Sequence, residues 1–384
     1  MAMNVKPLNA DTTFLIDFIP SFAPPYASAR FPGSFTILID PWVTGSSSVW
    51  SEAFQISHHT TSPCISSLRD IPEPDLIVIS QDKPDHCHKQ TLCTLPADSR
   101  VRILATPAAA KLIRSWKYFS HATIETMQPY NTKIDNSVIR IPIPGYSLTS
   151  QGGEVTVSYM PQKMDPTRLH NAIGLTYRAP SSKTTSVNGS VVNLLNLPPS
   201  PQDSPMAGNF SDLTVDHTDF SPLPDSPMEL EGDSPIFPPC EKTISVLYSP
   251  HGVAYPAIES YATSFLAKES ALPLTALFHP INTEENPWFM GGVVAAGYPG
   301  GAEIVRNMGA RYWISAHDEV KDNRGWSVTW IKSRVYSAED AQQKLDEEKK
   351  SLALYQAGKD GKAGKANHRT QIVRLDVGER LRIV

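Results

Sequence analysis

A layered α/β fold is predicted for this chain, on two observations. Short aliphatic and β-branched runs recur along the sequence, and helical patterns alternate with them. The length of 384 residues allows one large α/β domain or two ordinary ones, with a core able to position a site. The longest apolar runs, such as Leu76–Ile79 and Val293–Ala296, fall far short of the roughly 20 residues of a membrane span.

Taken in order, the predicted strands before residue 180 are Thr13–Ile19, Phe35–Asp40, Asp75–Ser80, Val101–Ala105, Val138–Ile141, Val155–Met160 and Ile173–Arg178. Later come Thr243–Tyr248, Leu274–His279, Tyr312–Ser315 and Gln371–Leu375. Predicted helices are Lys89–Leu95, Pro107–Tyr118, Ala257–Ala267, Gly300–Met308 and Ala338–Tyr355. Pro107 suits a first helical turn because its missing N–H would have no partner there, and Gly309 suits a helix stop. Ser337 with Asp340 three residues on reads as a cap for the last helix, whose charged run is a solvated face.

One stretch breaks the pattern. Pro180 to Pro239 holds eleven prolines, ten serines, eight acids and one base, and no sustained apolar period. Such a segment buries too little surface to offset its ordering entropy, so residues 180–240 are predicted as a disordered acidic insertion. Its Ser-Pro pairs at Ser200, Ser204, Ser221, Ser226 and Ser234 suit a proline-directed kinase, or simply reflect the composition of a linker. Residues 358–367, rich in Gly and Lys, are predicted as a connector. The net charge of −5 becomes about +2 once the insertion's −7 is subtracted (−5 minus −7). The acidic overall balance argues against nucleic acid as the main partner, while the near-neutral body leaves a small anionic substrate open. Four scattered cysteines fit a reducing compartment, and Met1–Pro7 lacks a leader-type apolar stretch, so a cytoplasmic or nuclear protein is expected, with no membrane partner and no prediction of oligomeric state.

The chemistry concentrates at strand ends. Leu76–Ile79 runs into Ser80-Gln81-Asp82-Lys83-Pro84-Asp85-His86-Cys87-His88, a loop dense in metal-ligand types. Asp85 and His86 with His88 offer oxygen and nitrogen donors on one turn, suited to Zn²⁺ or Fe²⁺. On this stretch alone, the pattern being short, a polar strand-to-helix loop with surface histidines is the favoured reading. Three more strand ends carry comparable groups: Asp40 before Pro41-Trp42, His251 after Ser249-Pro250, and His317 after Ser315-Ala316. Ligands of open α/β sheets gather at the carboxyl ends of strands, so these side chains can converge. His58-His59 and His279 suggest pocket walls, and the glycine-rich Gly297–Gly301 lacks phosphate-loop spacing and reads as a turn.

This order resembles the metallo-β-lactamase-fold superfamily, and the Asp-Pro-Trp at Asp40 looks like its ascorbate-phosphate-lactonase branch. The resemblance spans about Phe14 to His317, with the Pro/Ser segment as an insertion. It implies a single domain built as a four-layer αββα sandwich. It implies metal ligation by Asp85, His86 and His317, with His251 at the bridging-aspartate position and His170 as the third-motif histidine. Asp40 would order the metal loop. The first two histidines of the family's HxHxDH motif are Gln81 and Lys83 here, so one metal ion per chain is expected instead of two: Zn²⁺, with Fe or Mn also fitting. The expected function is a hydrolase using metal-bound hydroxide on an ester, lactone, thioester or phosphodiester small molecule. Asp85 would be ligand or base, and Lys83 would steady the oxyanion. The rival expectation is a catalytically silent binding protein that uses the insertion as a regulated arm.

Overall fold

A computed structural model describes residues 1–24, 31–120, 122–146, 150–182, 184–187, 190–193, 243–360 and 369–384. The first apolar runs build a seven-stranded sheet. In it β1 (Ala2–Pro7), β2 (Phe14–Ile19), β3 (Phe35–Ile39), β4 (Leu76–Ile79), β5 (Arg102–Ala105) and β6 (Thr123–Thr126) are neighbours in that order. The C-terminal strand Leu381–Ile383 pairs with the free edge of β1. A second seven-stranded sheet places β7 (Val138–Ile143), β8 (Gly153–Pro161), β9 (Asn171–Arg178), β10 (Ile244–Tyr248), β11 (Ala276–His279), β12 (Tyr312–Ser315) and β13 (Gln371–Val373) side by side. Each sheet begins as an antiparallel meander and continues as parallel strands: β3 to β6 in the first, β10 to β13 in the second. The two halves repeat one plan.

Parallel pairing requires crossovers, and the predicted helices supply them. Helices α1 (Lys89–Leu92) and α2 (Pro107–Ser115) cover the first sheet. Helices α3 (Tyr255–Ser260, continued by a wider turn to Leu266), α4 (Gly297–Met308) and α5 (Ala338–Asp360) follow β10, β11 and β12 in the second half. Strand alternation sorts the side chains into layers. Leu76 and Val78 of β4 face an inner core shared with Val246, Tyr248 and Phe278, while Ile77 and Ile79 pack outward with Ala109, Ala110 and Ile113 of α2. Leu247, Leu277 and Trp313 turn outward onto α3 and α4. Both faces of the central strands are thus buried, which explains their unbroken apolar runs. The result is the αββα sandwich expected from the sequence.

The capping chemistry also follows. Pro107 opens α2, Gly309 ends α4 in the left-handed region at φ 63°, and the Ser337 hydroxyl accepts from the Asp340 amide at 3.0 Å. Within the two large sheets three strands are additions to the sequence reading: Ala2–Pro7, Thr123–Thr126 and Leu381–Ile383. Each is an edge or near-edge strand with few inward apolar residues, so its pattern is weak. Within the segment predicted as disordered, Thr184–Val187 and Ser190–Asn193 form an antiparallel pair. Their Thr/Val content favours strands, a local signal that the Pro/Ser composition of the whole segment hides. The five Ser-Pro pairs lie outside the described residues, as do 361–367 of the predicted connector. Residues 1–181 with 241–384 form one compact unit and 182–240 a second. Among the described residues no helix is long and apolar enough to cross a membrane.

Candidate metal centre

The carboxyl ends of β3, β4, β10 and β12 meet. Directly after β3, Asp40 takes a positive φ of 43°, and after β12 His317 takes φ 65°. Both are non-glycine residues held in the left-handed region, a conformation the surrounding structure must enforce. Asp40 is fully buried and receives the Ser80 amide at 2.7 Å, the Ser80 hydroxyl at 2.5 Å and the Tyr248 hydroxyl at 2.8 Å. Its Oδ2 also faces His86 Nδ1 at 2.8 Å. The loop after β4 is therefore tied to β3 and to β10 through one carboxylate.

Three imidazoles converge: His86, His251 and His317 place ligand atoms within 4.8 Å of one another. In each ring Nδ1 is anchored to an acceptor outside the cluster. His86 donates to Asp40, His251 to the Val294 carbonyl at 3.0 Å, and His317 to Asp11 Oδ1 at 2.9 Å. An acceptor on Nδ1 fixes the tautomer that leaves Nε2 as the free donor atom, the usual arrangement behind a metal-binding histidine. The Nε2 atoms of His86 and His251 are 3.1 Å apart. Asp85 completes a fourth corner, with oxygens 3.9 Å from His86 Nε2 and 3.9 Å from His317 Nε2. Thr12 fixes the Asp85 backbone by donating to its carbonyl at 2.9 Å.

The electrostatics point the same way. Burial alone would lower the His86 pKa, but Asp85 and Asp40 hold it raised. Burial, with His317 and His86 alongside, pushes His251 well below the usual histidine range. Burial would raise the Asp11 and Asp85 carboxyls, yet His317 and Lys321 beside Asp11, and His86 and Lys321 beside Asp85, hold both low. Three carboxylates, Asp11, Asp40 and Asp85, stand around the histidines against the single Lys321 ammonium. A divalent cation would neutralise that excess. The donor set and the charge both fit such an ion.

The residues expected from the sequence fall into three groups. Asp85, His86, His251 and His317 come together, and Asp40 stands behind His86. His170 stands outside this group: its Nδ1 faces Asp165 at 3.1 Å, and its buried Nε2 has no hydrogen-bond partner among the described residues. Lys83 pairs with its neighbour Asp82 at 3.2 Å. Of the open alternatives, His88 caps α1, accepting the Thr91 amide at 3.2 Å and facing the Ser46 carbonyl at 3.1 Å. Cys87 turns into the apolar layer beneath α2, where burial raises its thiol pKa. His59 bonds Glu319 at 2.6 Å and stacks near Trp42, while His279 is wholly buried beside Trp313.

Two participants were missed. Asp11, in the turn before β2, holds His317 and the buried Lys321, whose ammonium is 2.9 Å from Asp11 and 3.8 Å from Asp85. The signal for Asp11 was topological: the start of an antiparallel β2 lies at the same sheet edge as the end of β3. Asn9 shapes that turn by accepting the amides of Asp11 and Thr13. Lys321 follows His317 by four residues in a loop without periodicity, and nothing in the sequence marks it as buried.

No family model matches the chain, and no curated protein matches it. Among solved structures, it is similar to an isothiocyanate hydrolase from Delia radicum gut bacteria, with 11% identity, 98% of each chain covered and a TM-score of 0.47. A possible metal-dependent hydrolase from Veillonella parvula matches at 10% identity, 99% of each chain and a TM-score of 0.49. The metallo-β-lactamase fold protein YhfI from Bacillus subtilis matches at 9% identity, 99% of each chain and a TM-score of 0.45.

Proposed function

We propose that this chain of metallo-β-lactamase fold is a metal-dependent hydrolase of a small ester, lactone, thioester or phosphodiester, working with a single ion. One observation carries the reading: three histidines from three strand ends present ligand atoms to one point while their other nitrogens are anchored. His86, His251 and His317 would hold the ion, with Asp85 as a fourth ligand. A bound divalent ion of this kind supplies Lewis acidity and brings the pKa of a coordinated water toward ~7. Zn²⁺ suits three imidazoles and a carboxylate, and Fe²⁺ or Mn²⁺ suits them next.

The chain's own groups complete the site. Asp40 orients His86, Asp11 orients His317, and the Val294 carbonyl orients His251. Where the three histidines alone hold the ion, Asp85, partly exposed beside them, is instead the group able to take up or return a proton at the reacting centre. Lys321 supports Asp11 and Asp85 and adds the positive charge nearest the cluster; Lys83, bound to Asp82, is the second cation available to an oxyanion. A single ion agrees with Gln81 and Lys83, neither a usual ligand, standing where the family's first-site histidines would be.

The test is elemental analysis of the full chain purified without chelator. About one ion per chain is expected. His317→Ala is expected to lose the ion while retaining the parent's circular dichroism. A well-folded parent free of metal would overturn the hydrolase reading and favour a binding scaffold.

A further inference from the structure

Tryptophan is highly buried on average, because its indole carries so much apolar area. Trp42 and Trp313 follow that rule, whereas Trp50 and Trp288 are 88% exposed and Trp326, Trp330 and Phe289 are each more than half exposed. All five lie on loops that leave the carboxyl ends of β3, β11 and β12, the edge that carries the candidate metal centre. Two small sheets hold them out. In one, Ser47–Val49, Gln55–His58 and Asp322–Arg324 are neighbours; in the other, Val293–Ala295, Thr283–Glu285 and Lys332–Arg334. Trp50 sits in the hairpin turn of the first sheet, and Trp288 with Phe289 in the hairpin turn of the second. A short helical turn, Ser327–Trp330, links the two sheets, with Trp326 at its start and Trp330 at its end. Register brings these tips together. Arg324 pairs with Ile56, which carries Trp326 onto Phe54 at 4.9 Å between ring centres, and Phe54 lies 4.5 Å from Trp50. Glu285 pairs with Lys332, so the turn ending at Trp330 closes on the tip that bears Trp288 and Phe289. The result is one aromatic band. Away from the tips the same strands reach the centre: Asp322 follows Lys321, and the Val294 carbonyl receives His251.

Exposed apolar groups gathered in one place mark a contact surface, and two properties of this band identify its occupant. The first is strain. Trp50 takes φ 60°, in the left-handed region that a bulky residue rarely adopts, and buries little of its indole there. A costly backbone conformation that gains so little burial points to a contact made outside the chain. The second is charge. Arg324 pairs with Asp322 at 2.7 Å, and the exposed Lys332 and Arg334 stand against the exposed Glu52 and Glu285. These exposed charges balance, so nothing in the band selects an anionic surface. Neutral indoles, apolar in the ring and polar at one N–H, match the boundary between headgroups and acyl chains of a zwitterionic bilayer, where tryptophan concentrates. Rings exposed on hairpin tips also suit a fluid surface that yields to each of them. A rigid protein would need a matching pocket for every ring, and a second copy seated face to face would cover the edge that carries the centre.

We infer that this band docks the protein on a zwitterionic lipid surface, with the loops of the metal-centre edge turned toward the bilayer. The contact is peripheral. It needs no long apolar run, the feature whose absence from the sequence argues against a membrane partner. Docking requires no bound metal and stands independently of the hydrolase reading.

The experiment is co-sedimentation of the full chain with phosphatidylcholine vesicles, and with vesicles in which part of the lipid is phosphatidylserine. A partition coefficient of about 10⁴ M⁻¹, that of a single acyl anchor, places most of the chain in the pellet at ~1 mM lipid, and this is the parent's expected behaviour. Phosphatidylserine, or salt raised to ~0.5 M, is expected to change the partition coefficient by less than about twofold. The double variant Trp288→Ala, Phe289→Ala is expected to lower it at least about tenfold, and Trp330→Ala about threefold or more. Both change exposed rings, so the parent's circular dichroism is expected in each. Recovery of the parent in the supernatant with phosphatidylcholine would overturn the inference, as would binding confined to phosphatidylserine and abolished by salt, or equal pelleting of the aromatic variants. Sedimentation velocity without lipid covers the protein occupant. A dimer that the double variant turns into a monomer, with no vesicle binding by either, would assign the band to contact between copies. His317→Ala is expected to bind vesicles as the parent does; binding lost there would tie the lipid to the metal centre instead of the band. Metal content, measured on the same samples, reports separately on the hydrolase reading.

Discussion

Lys321 shows how much one buried charge can govern. Its side chain is 11% exposed and its ammonium bonds Asp11, which is itself fully buried. Removing the cation leaves the buried Asp11 with the His317 ring as its remaining side-chain partner, and breaking a buried pair from one side costs up to about 3–5 kcal/mol. Lys321→Met is therefore expected to lower unfolding free energy in urea by that amount, and adding Asp11→Asn to recover part of it. Equal losses in the single and double variants would deny the coupling. His279 gives a pH-dependent counterpart. Burial lowers its pKa from 6.5 to about 4. Above 6.5 both folded and unfolded chains carry it neutral; as pH falls from 6.5 toward 4 only the unfolded chain takes the proton, so stability drops across that window. His279→Gln is expected to reduce the stability lost between about pH 8 and pH 5 by about 2 kcal/mol relative to the parent. An unchanged loss in denaturant titrations would refute this origin. At this scale the sequence was informative where a chemical type stood at a strand end: Asp40, Asp85, His86, His251 and His317. It was silent on Lys321, because burial of a lysine is decided by partners far away in the chain.

Among the elements, β4 and β10 do the most, each carrying an inner apolar face, an outer apolar face and a ligand loop at its carboxyl end. Their boundaries were legible because both faces are buried and the apolar run stops where the polar loop begins. Thr123–Thr126 was not legible, since a strand near the sheet edge needs few apolar residues. The fit of α4 against β12 was also invisible. Gly301 sits on the Trp313 indole, and a Cβ at that position would overlap the ring. Gly301→Ala gains helix propensity but forces an overpacked contact, and overpacking typically costs about 1–3 kcal/mol. A lower Tm is expected by calorimetry; an equal or higher Tm would show that Trp313 can move aside.

Across the whole molecule, neither half owns the candidate centre. Asp11, Asp40, Asp85 and His86 belong to the first half, His251, His317 and Lys321 to the second. An ion held by both would stabilise the sandwich by about 2.7 kcal/mol at a free concentration 100 times its Kd. The junction of the acidic segment is equally telling. Tyr177 and Ile244 are register partners on adjacent antiparallel strands, so residues 184–240 interrupt what would otherwise be a hairpin. Replacing 184–240 by a short Gly/Ser turn is expected to leave metal content and the unfolding midpoint of the remaining body close to the parent's. Loss of metal in that variant would show that the segment contributes to the site.

Asp40 and His317 hold positive φ angles that glycine or asparagine would adopt with less strain, by about 1 kcal/mol. At Asp40 that gain is outweighed, because its loss would strand the Ser80 amide, the Ser80 and Tyr248 hydroxyls and the His86 ring in the interior at roughly 1–3 kcal/mol each. At His317, whose ring has one anchoring bond to Asp11, stability and chemistry pull against each other, and a laboratory selection for heat resistance alone would be drawn toward variants that have quietly shed an imidazole. Any such campaign on this scaffold should screen for retained metal alongside survival.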